Sequence, residues 1–347
     1  MVCGGRRVPD AARASLVSGR WVAKAFSSPQ ERAVPDGPMP EGDTVLRTAR
    51  RLNQALAGRP LVRAELRWPT LGDADLAGRT VTAVTAYGKH ILTRIAATDH
   101  AGSAARGRRR PTVPDEPLTL RSHLRMEGRW YVHARNAEPW PSAGRASVRA
   151  VLGGTEWTAV GTWLGLLDLV PTAAERELIG HLGPDIMADG FDVDRAVPRL
   201  LTDPSRAVGA VLLDQTTVAG IGTMYMAEAL FVQRISPWTP VAQVDLPALL
   251  STARRQLLRG ASQAVPSTTG NPRRGLQTYV HGRSGRPCQR CGTPVRVAEI
   301  GPSDKRRPAF YCPACQPGPT PTDDGRPQRP LGANPAYREY RRPTGYR

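Results

Sequence analysis

Between Asp43 and Leu56 the apolar residues fall at Val45, Leu46, Ala49, Leu52 and Leu56, the spacing that lines one face of an α-helix; Gly58 then offers a stop. Asp43 or Thr44 stands where a side chain can cap that helix by accepting a backbone hydrogen bond. Beyond it the period changes. Alternating segments rich in β-branched and aromatic residues run over 61–68, 80–95, 117–133, 146–152 and 155–169, separated by turns and glycines, and predict an antiparallel sandwich or flattened barrel. The stretch 97–117, with Arg106-Gly107-Arg108-Arg109-Arg110, reads as a polar loop between strands. From Thr172 through Arg259 the pattern is helical, most clearly as a helix through Leu213, Asp214 and Gln215, the run Ala219-Gly220-Ile221-Gly222-Thr223, and a second helix through Glu228 and Phe231. Residues 265–276 form a polar loop without sustained periodicity.

Several of these elements carry chemistry. No strand precedes the Gly-x-Gly run, so it fits an anion-gripping helix hairpin better than a dinucleotide fold. Cys288-x2-Cys291 and Cys312-x2-Cys315 have the spacing of a four-thiolate zinc site. The 20 residues between the pairs suit a hairpin with Val295 and Val297 on one arm, Phe310 and Tyr311 on the other, and Lys305, Arg306 and Arg307 at the tip. Lys89, in Tyr87-Gly88-Lys89-His90, reads either as a phosphate-holding or proton-donating group or as a surface residue. Arg125 and Met126 stand at a strand-to-turn junction, where a methionine is either core or a wedge for a base stack.

Met39-Pro40-Glu41-Gly42 is the least ordinary stretch. An internal proline nitrogen is a tertiary amide, so Pro40 is a nucleophile only as the first residue, after initiation at Met39 and removal of that methionine. An α-amine titrates near pH 8, which leaves roughly a tenth of it neutral at pH 7 and able to attack a sugar aldehyde carbon. The plainer reading is a Pro-Glu pair that only opens a helix.

The formal net charge of +18 over 347 residues favours a polyanionic partner. Residues 1–38 and 319–347 contribute +3 each, leaving +12 on the body, so the basic excess is not a tail effect. No apolar run approaches the 18 or so residues that span a bilayer, and a soluble protein is expected. Residues 1–38 lack the apolar core of a secretory signal and read as a misplaced start or a disordered extension. Paired cysteines in metal spacing suit a reducing, cytoplasmic compartment.

Taken together, Pro40-Glu41-Gly42, Gly88-Lys89, His123-Leu124-Arg125-Met126-Glu127-Gly128, Leu213-Asp214-Gln215 with Ala219-Gly220-Ile221-Gly222, Tyr279-Val280-His281-Gly282-Arg283 and the four cysteines followed by Gln316 resemble the bacterial formamidopyrimidine-DNA glycosylase and endonuclease VIII family, most closely its actinobacterial endonuclease VIII branch. The resemblance covers about 39–316. It implies an α+β multidomain chain: an N-terminal extension over 1–38, a β-sandwich headed by the catalytic helix over 39–171, a helix-two-turn-helix domain over 172–270, a four-cysteine zinc finger over 271–318, and a disordered basic tail over 319–347.

It further implies that Pro40 forms a Schiff base with the sugar C1′, Glu41 protonates the sugar, Lys89 holds phosphate and serves in β-elimination, and Arg307 assists δ-elimination. Arg125, Met126 and Glu127 fill the gap left by an extruded base, while Gly222, Thr223, Arg283 and Arg306 contact DNA. One structural Zn2+ on Cys288, Cys291, Cys312 and Cys315 is implied, with damaged double-stranded DNA as partner and a monomer, working at the bacterial nucleoid, as the active form. Thr223 stands where the family usually has Asn, Arg125 where Gln is frequent, and a retained extension would block Pro40. Three functions compete: a bifunctional glycosylase and abasic-site lyase acting on oxidised bases, pyrimidines in particular; a damage-binding protein of the same fold without turnover; and a zinc ribbon that binds proteins.

Overall fold

The computed structural model describes residues 40–98, 113–135, 145–322 and 325. The expectations for 1–38, for most of the 97–117 loop and for nearly all of the 319–347 tail fall outside the described residues.

Helix α1 (Gly42–Leu56) forms as its apolar spacing predicts and buries Val45, Ala49, Leu52 and Leu56. It begins without a side-chain cap. The Asp43 carboxylate is instead drawn out of the helix start, accepting the Tyr225 hydroxyl at 2.9 Å. Strands β1 (Arg59–Pro60), β3 (Thr80–Tyr87), β4 (His90–Ile95), β5 (Leu118–His123) and β9 (Leu166–Pro171) make one sheet in the order β1-β3-β4-β5-β9. Strands β2 (Arg63–Leu66), β7 (Val148–Gly153), β8 (Trp157–Thr162) and β6 (Arg129–Ala134) make a second, in the order β2-β7-β8-β6. All neighbours are antiparallel. The inward positions of both sheets pack with the α1 stripe into one core containing Leu61, Val81, Ile91, Leu120 and Leu152, the sandwich that alternation along each strand predicts.

The connection out of the sandwich lies along the outer face of the five-stranded sheet. Glu175, in the short α2 (Glu175–Ile179), takes both Nε and Nη2 of Arg94 at 2.7 and 2.6 Å, and Arg121 donates to Asp168 and to the Leu178 carbonyl, each at 2.6 Å. Four helices follow: α3 (Val193–Leu200), α4 (Val208–Leu213), α5 (Thr223–Val232) and α6 (Leu246–Ser262). Asp192 caps α3 and Asp245 caps α6. Helix α5 is buried on nearly every side, so its sequence is apolar throughout rather than striped.

Asp214 and Gln215 lie beyond the end of α4, not within a helix. Asp214 accepts from the Thr216 amide and hydroxyl at 3.1 and 2.7 Å, a local bond that competes with helix continuation. The Gln215 amide then fixes the glycine loop, accepting from Gly220 N–H at 3.1 Å and donating to the Ile221 carbonyl at 2.9 Å.

Strands β10 (Arg296–Ile300) and β11 (Arg307–Tyr311) form the expected hairpin, with Val297 opposite Phe310. Its inner residues Ile300 and Ala309, with Cys288 and Cys312, join the core of the helical layer. Glu228 of α5 joins the same parts. Its buried carboxylate accepts from the amides of Tyr279, Val280 and His281 at 2.7, 2.8 and 2.9 Å and from the Thr268 hydroxyl. Glu228→Leu leaves these donors buried without partners, and the expected loss is about 3 kcal/mol or more of unfolding free energy. Denaturant titration measures the loss, and amide exchange at 279–281 is expected to accelerate more than exchange in α1.

Candidate active site

The amino-terminal end of α1 abuts that of α5. Gly42 N–H donates to the Gly220 carbonyl at 3.1 Å, and the Glu41 carboxylate accepts from Met224 N–H at 2.7 Å, Gly222 N–H at 2.9 Å and Tyr225 N–H at 3.4 Å. The sequence predicts an anion at this glycine loop. That anion is Glu41 itself, which satisfies donors that a helix start leaves open. Gly222 is therefore turned into the protein and its N–H is not free for phosphate. Close approach requires both glycines: a Cβ on Gly222 would lie 2.3 Å from the Glu41 carboxyl carbon, and one on Gly42 would lie 2.8 Å from the Gly220 oxygen.

Burial pushes the Glu41 pKa up to about 7, and Asp43 adds to the rise, while Lys89 and the Met224 and Tyr225 amides oppose it. Asp43, two residues further on, is buried too, and burial raises its pKa as well. Its partner Tyr225 sits in a notch of α6, where a Cβ on Gly260 would come 2.0 Å from the hydroxyl.

Lys89 is carried by the β3–β4 turn, and that turn is gripped by the helical layer. Gly88 is left-handed, with φ of +57°, and a Cβ there would lie 2.8 Å from that of Ala219. The buried Asp185 carboxylate accepts from Gly88 N–H and, at 2.9 Å, from Met187 N–H, while the Tyr87 hydroxyl donates to the Gly183 carbonyl at 3.0 Å. Burial holds the Lys89 ammonium below its ordinary range, the charge of Arg307 adds to the lowering, and Glu41 opposes it. Lys89 thus interacts electrostatically with both Glu41 and Arg307, and Pro40, half-buried, is bonded directly to Glu41. Three distant segments meet at one point.

The remaining candidates divide. Arg125 and Met126 are exposed on the connection between β5 and β6, with Glu127 half-buried beside them. Thr223 is buried in the first turn of α5, and its hydroxyl has no hydrogen-bond partner among the described residues. Arg306 is exposed and paired with Glu299 at 3.1 Å, which leaves Arg307 as the tip residue coupled to Lys89. Arg283 corrects its sequence reading as a DNA contact: it is buried, and its Nη atoms donate to the Gly275 and Pro287 carbonyls at 2.5 and 3.0 Å. A basic residue in a motif near the zinc ligands looks like a contact in sequence, but here it braces backbone.

Other site residues emerge only from the structure. His90 and His123 face each other with ring centroids 4.8 Å apart. Burial and neighbouring positive charge push their pKa values down to about 3 and about 4, so both are neutral at pH 7. His123 Nδ1 is an acceptor, taking Arg125 N–H at 2.9 Å. Both histidines lie inside motifs quoted above, so a signal existed. Asp43 and Asp185 gave none, because their partners are distant in sequence.

The four thiols of Cys288, Cys291, Cys312 and Cys315 lie within 4.8 Å of one another, Cys291 and Cys312 at 3.5 Å and Cys288 and Cys315 at 4.0 Å. A tetrahedral ion with bonds of about 2.3 Å to sulfur requires S···S separations of about 3.8 Å. The donor set fits a metal ion.

Residues 39–161 match the formamidopyrimidine-DNA glycosylase N-terminal domain, and residues 182–268 match the formamidopyrimidine-DNA glycosylase H2TH domain. The chain is 44% identical over 291 residues to a Streptomyces coelicolor protein named "Probable endonuclease 8 2", covering 83% of this chain and 98% of that one. It is 34% identical to the Mycolicibacterium smegmatis DNA-(apurinic or apyrimidinic site) lyase Nei2, covering 80% of this chain and 99% of that one. Among solved structures, Lactococcus lactis formamidopyrimidine-DNA glycosylase bound to DNA containing an AP site superposes with a TM-score of 0.61 at 21% identity, covering 80% of this chain and all of that one. With a sandwich, a glycine-loop helix pair and a Pro-Glu helix start in one arrangement, the chain belongs to the formamidopyrimidine-DNA glycosylase family.

Proposed function

We propose that the chain is a base-excision DNA glycosylase with abasic-site lyase activity, removing oxidised bases, pyrimidines in particular, from double-stranded DNA. One observation carries this reading: Glu41, whose burial leaves it half-protonated near pH 7, shares a seam with Lys89 and Arg307 immediately after Pro40. In the proposed reaction the Pro40 nitrogen donates its electron pair to C1′ as the base departs with the glycosidic pair, and the N–H proton that Pro40 then sheds goes to the departing base. Glu41 gives its proton to the ring oxygen, and the sugar opens as an iminium on Pro40. The iminium makes the C2′ proton acidic. Its loss, aided by Lys89, expels the 3′ phosphate, and a second elimination assisted by Arg307 expels the 5′ phosphate; water then frees Pro40. Arg125, Met126 and Glu127 occupy the gap left by the extruded base, and the exposed Arg306 contacts phosphate.

The reading requires Pro40 to be the first residue of the working enzyme. The family match beginning at residue 39 supports this, as does the near-complete coverage of the Streptomyces relative by 83% of the chain. The setting proposed is the cytoplasm, at the nucleoid, as a monomer; among the described residues no helix is long and apolar enough to cross a membrane. Zn2+ on Cys288, Cys291, Cys312 and Cys315 would staple the hairpin that presents Arg307, and that is all the chemistry it would supply.

Amino-terminal sequencing of the native protein is expected to begin at Pro40. Borohydride is expected to trap that form covalently on abasic duplex, whereas Pro40→Gly, or a chain that retains residues 1–39, gives no adduct through this position. An adduct of undiminished yield from either would sink the proposal.

A carboxyl pKa raised from 4.5 to about 7 means that the folded chain binds the proton more tightly than the unfolded one. Its contribution to stability therefore falls as pH rises from about 4.5 to about 7. The same titration removes the proton donor, so single-turnover excision is expected to decline above about pH 7. Glu41→Gln should slow excision by roughly a hundredfold or more, and the residual activity should lack that alkaline decline. Elemental analysis is expected to find one zinc per chain. Chelation should release it and weaken duplex binding while α1 stays folded by amide exchange.

A further inference from the structure

A hollow lies where the end of strand β3 meets α2, the loop that follows it, and α3. Its volume is about 420 Å³, within the range of roughly 300–1,000 Å³ typical of small-molecule sites. Pro40, Glu41, Lys89 and Arg307 take no part in its walls. Three cations do: Arg176 on α2, and Arg195 and Arg199 one turn apart on α3. All three are exposed, and Arg195 and Arg199 are close enough to the Tyr87 hydroxyl, on the facing strand, to act on its charge.

These charges are unmatched where their neighbours are matched. Arg94 pairs with Glu175 and Arg121 with Asp168, each at 2.6 Å, and Arg206 pairs with Asp214 at 3.1 Å. Arg176, Arg195 and Arg199 have no ion-pair partner among the described residues. The two carboxylates in the walls are taken by backbone: Asp185 accepts from Gly88 and Met187 N–H, and Asp192 accepts from the Asp194 and Arg195 amides. Arg199 spends one of its donors on the Thr216 carbonyl at 3.2 Å. Like charges around one hollow repel unless an anion sits among them, and a guanidinium fork matches a phosphate through two parallel bonds. The remaining wall is apolar, with Ile179, Leu182 and Phe191. Its ring is held in place: the Arg254 guanidinium lies 5.7 Å from the Phe191 centroid and is itself fixed on the Ala188 carbonyl at 2.8 Å. Free guanidinium groups and a fixed aromatic ring in one hollow match the two halves of a nucleotide.

We propose that this hollow binds a free nucleoside monophosphate, its phosphate held by Arg176, Arg195 and Arg199 and its base against the apolar wall at Phe191. A hollow of this size admits one nucleotide and not a duplex. The site is separate from the catalytic seam and does not depend on the excision chemistry. Asp185 joins the two, because its carboxylate is part of the wall and also holds the N–H of Gly88, next to Lys89.

The test titrates the full chain with deoxyadenosine 5′-monophosphate (dAMP) by calorimetry. Saturable binding is expected with a Kd below about 1 mM. Deoxyadenosine and inorganic phosphate each present half of the ligand and should bind at least about tenfold more weakly. Arg195→Gln and Arg199→Gln are each expected to weaken dAMP binding by about ten- to 150-fold, the range for loss of one hydrogen bond to a charged group. Arg51→Gln, at an exposed position of α1 outside the hollow, should change it less than about twofold. Ala188→Trp fills the hollow and leaves every cation in place, so saturable binding should be lost. Bound dAMP should slow amide exchange across 183–199 in wild type, which locates the site even if Ala188→Trp fails to fold. A duplex carrying a tetrahydrofuran abasic analogue, added to saturation, should leave dAMP bound. The proposal is wrong if dAMP does not saturate, if Arg195→Gln and Arg199→Gln bind it like wild type, or if deoxyadenosine or inorganic phosphate binds as tightly. It is also wrong if the duplex displaces dAMP completely, since the arginines then belong to the path of the DNA.

Discussion

The Glu41 carboxylate at the start of α5 is the contact on which the rest of the site depends. A helix start presents open N–H groups and a positive dipole end, and this one is closed by a side chain from the sandwich, 181 to 184 residues earlier in the chain. The residue that follows Pro40 is thus a structural cap of the helical layer. Three amides favour its anion, burial favours its neutral form, and burial prevails far enough to place the transition near neutrality. A carboxyl group in that balance can hold a helix in one protonation state and donate a proton from the other.

The same device recurs around the seam. Asp185 joins the β3–β4 turn to the Met187 backbone, Asp43 joins α1 to Tyr225, and Glu228 joins α5 to the segment that leads into the cysteine hairpin. Each carboxylate is buried and each faces donors from another part of the chain. Such groups add little net stability compared with apolar packing, but an incorrect arrangement leaves them unpaired at large cost. They define how the parts meet, which matters more than stability to a site assembled from three segments.

Electrostatics at the reacting end follow from which cations are already occupied. Arg283 is buried on carbonyls, Arg306 is held by Glu299, and His90 and His123 are neutral. The positive field there includes Lys89 and Arg307, and Arg125 and Arg121 add to it at His123. Burial together with Arg307 lowers the ammonium pKa, which makes Lys89 a better proton carrier than a surface lysine.

Local order was legible in the sequence. The α1 stripe, the alternation of the sandwich strands and the paired cysteines each follow from neighbours within a few residues, where period and spacing act directly on the backbone. The candidate site residues Pro40, Glu41, Lys89 and Arg307 could be singled out too, because Pro40-Glu41, Gly88-Lys89 and Arg306-Arg307 are short motifs. Their partners were not. That Asp43 bonds Tyr225 instead of capping its own helix, that the anion at Gly222 is Glu41, and that Arg283 faces inward are decided by contacts between elements far apart in sequence. Periodicity says which side of an element is buried, and only the assembled layers say which donor it finds there.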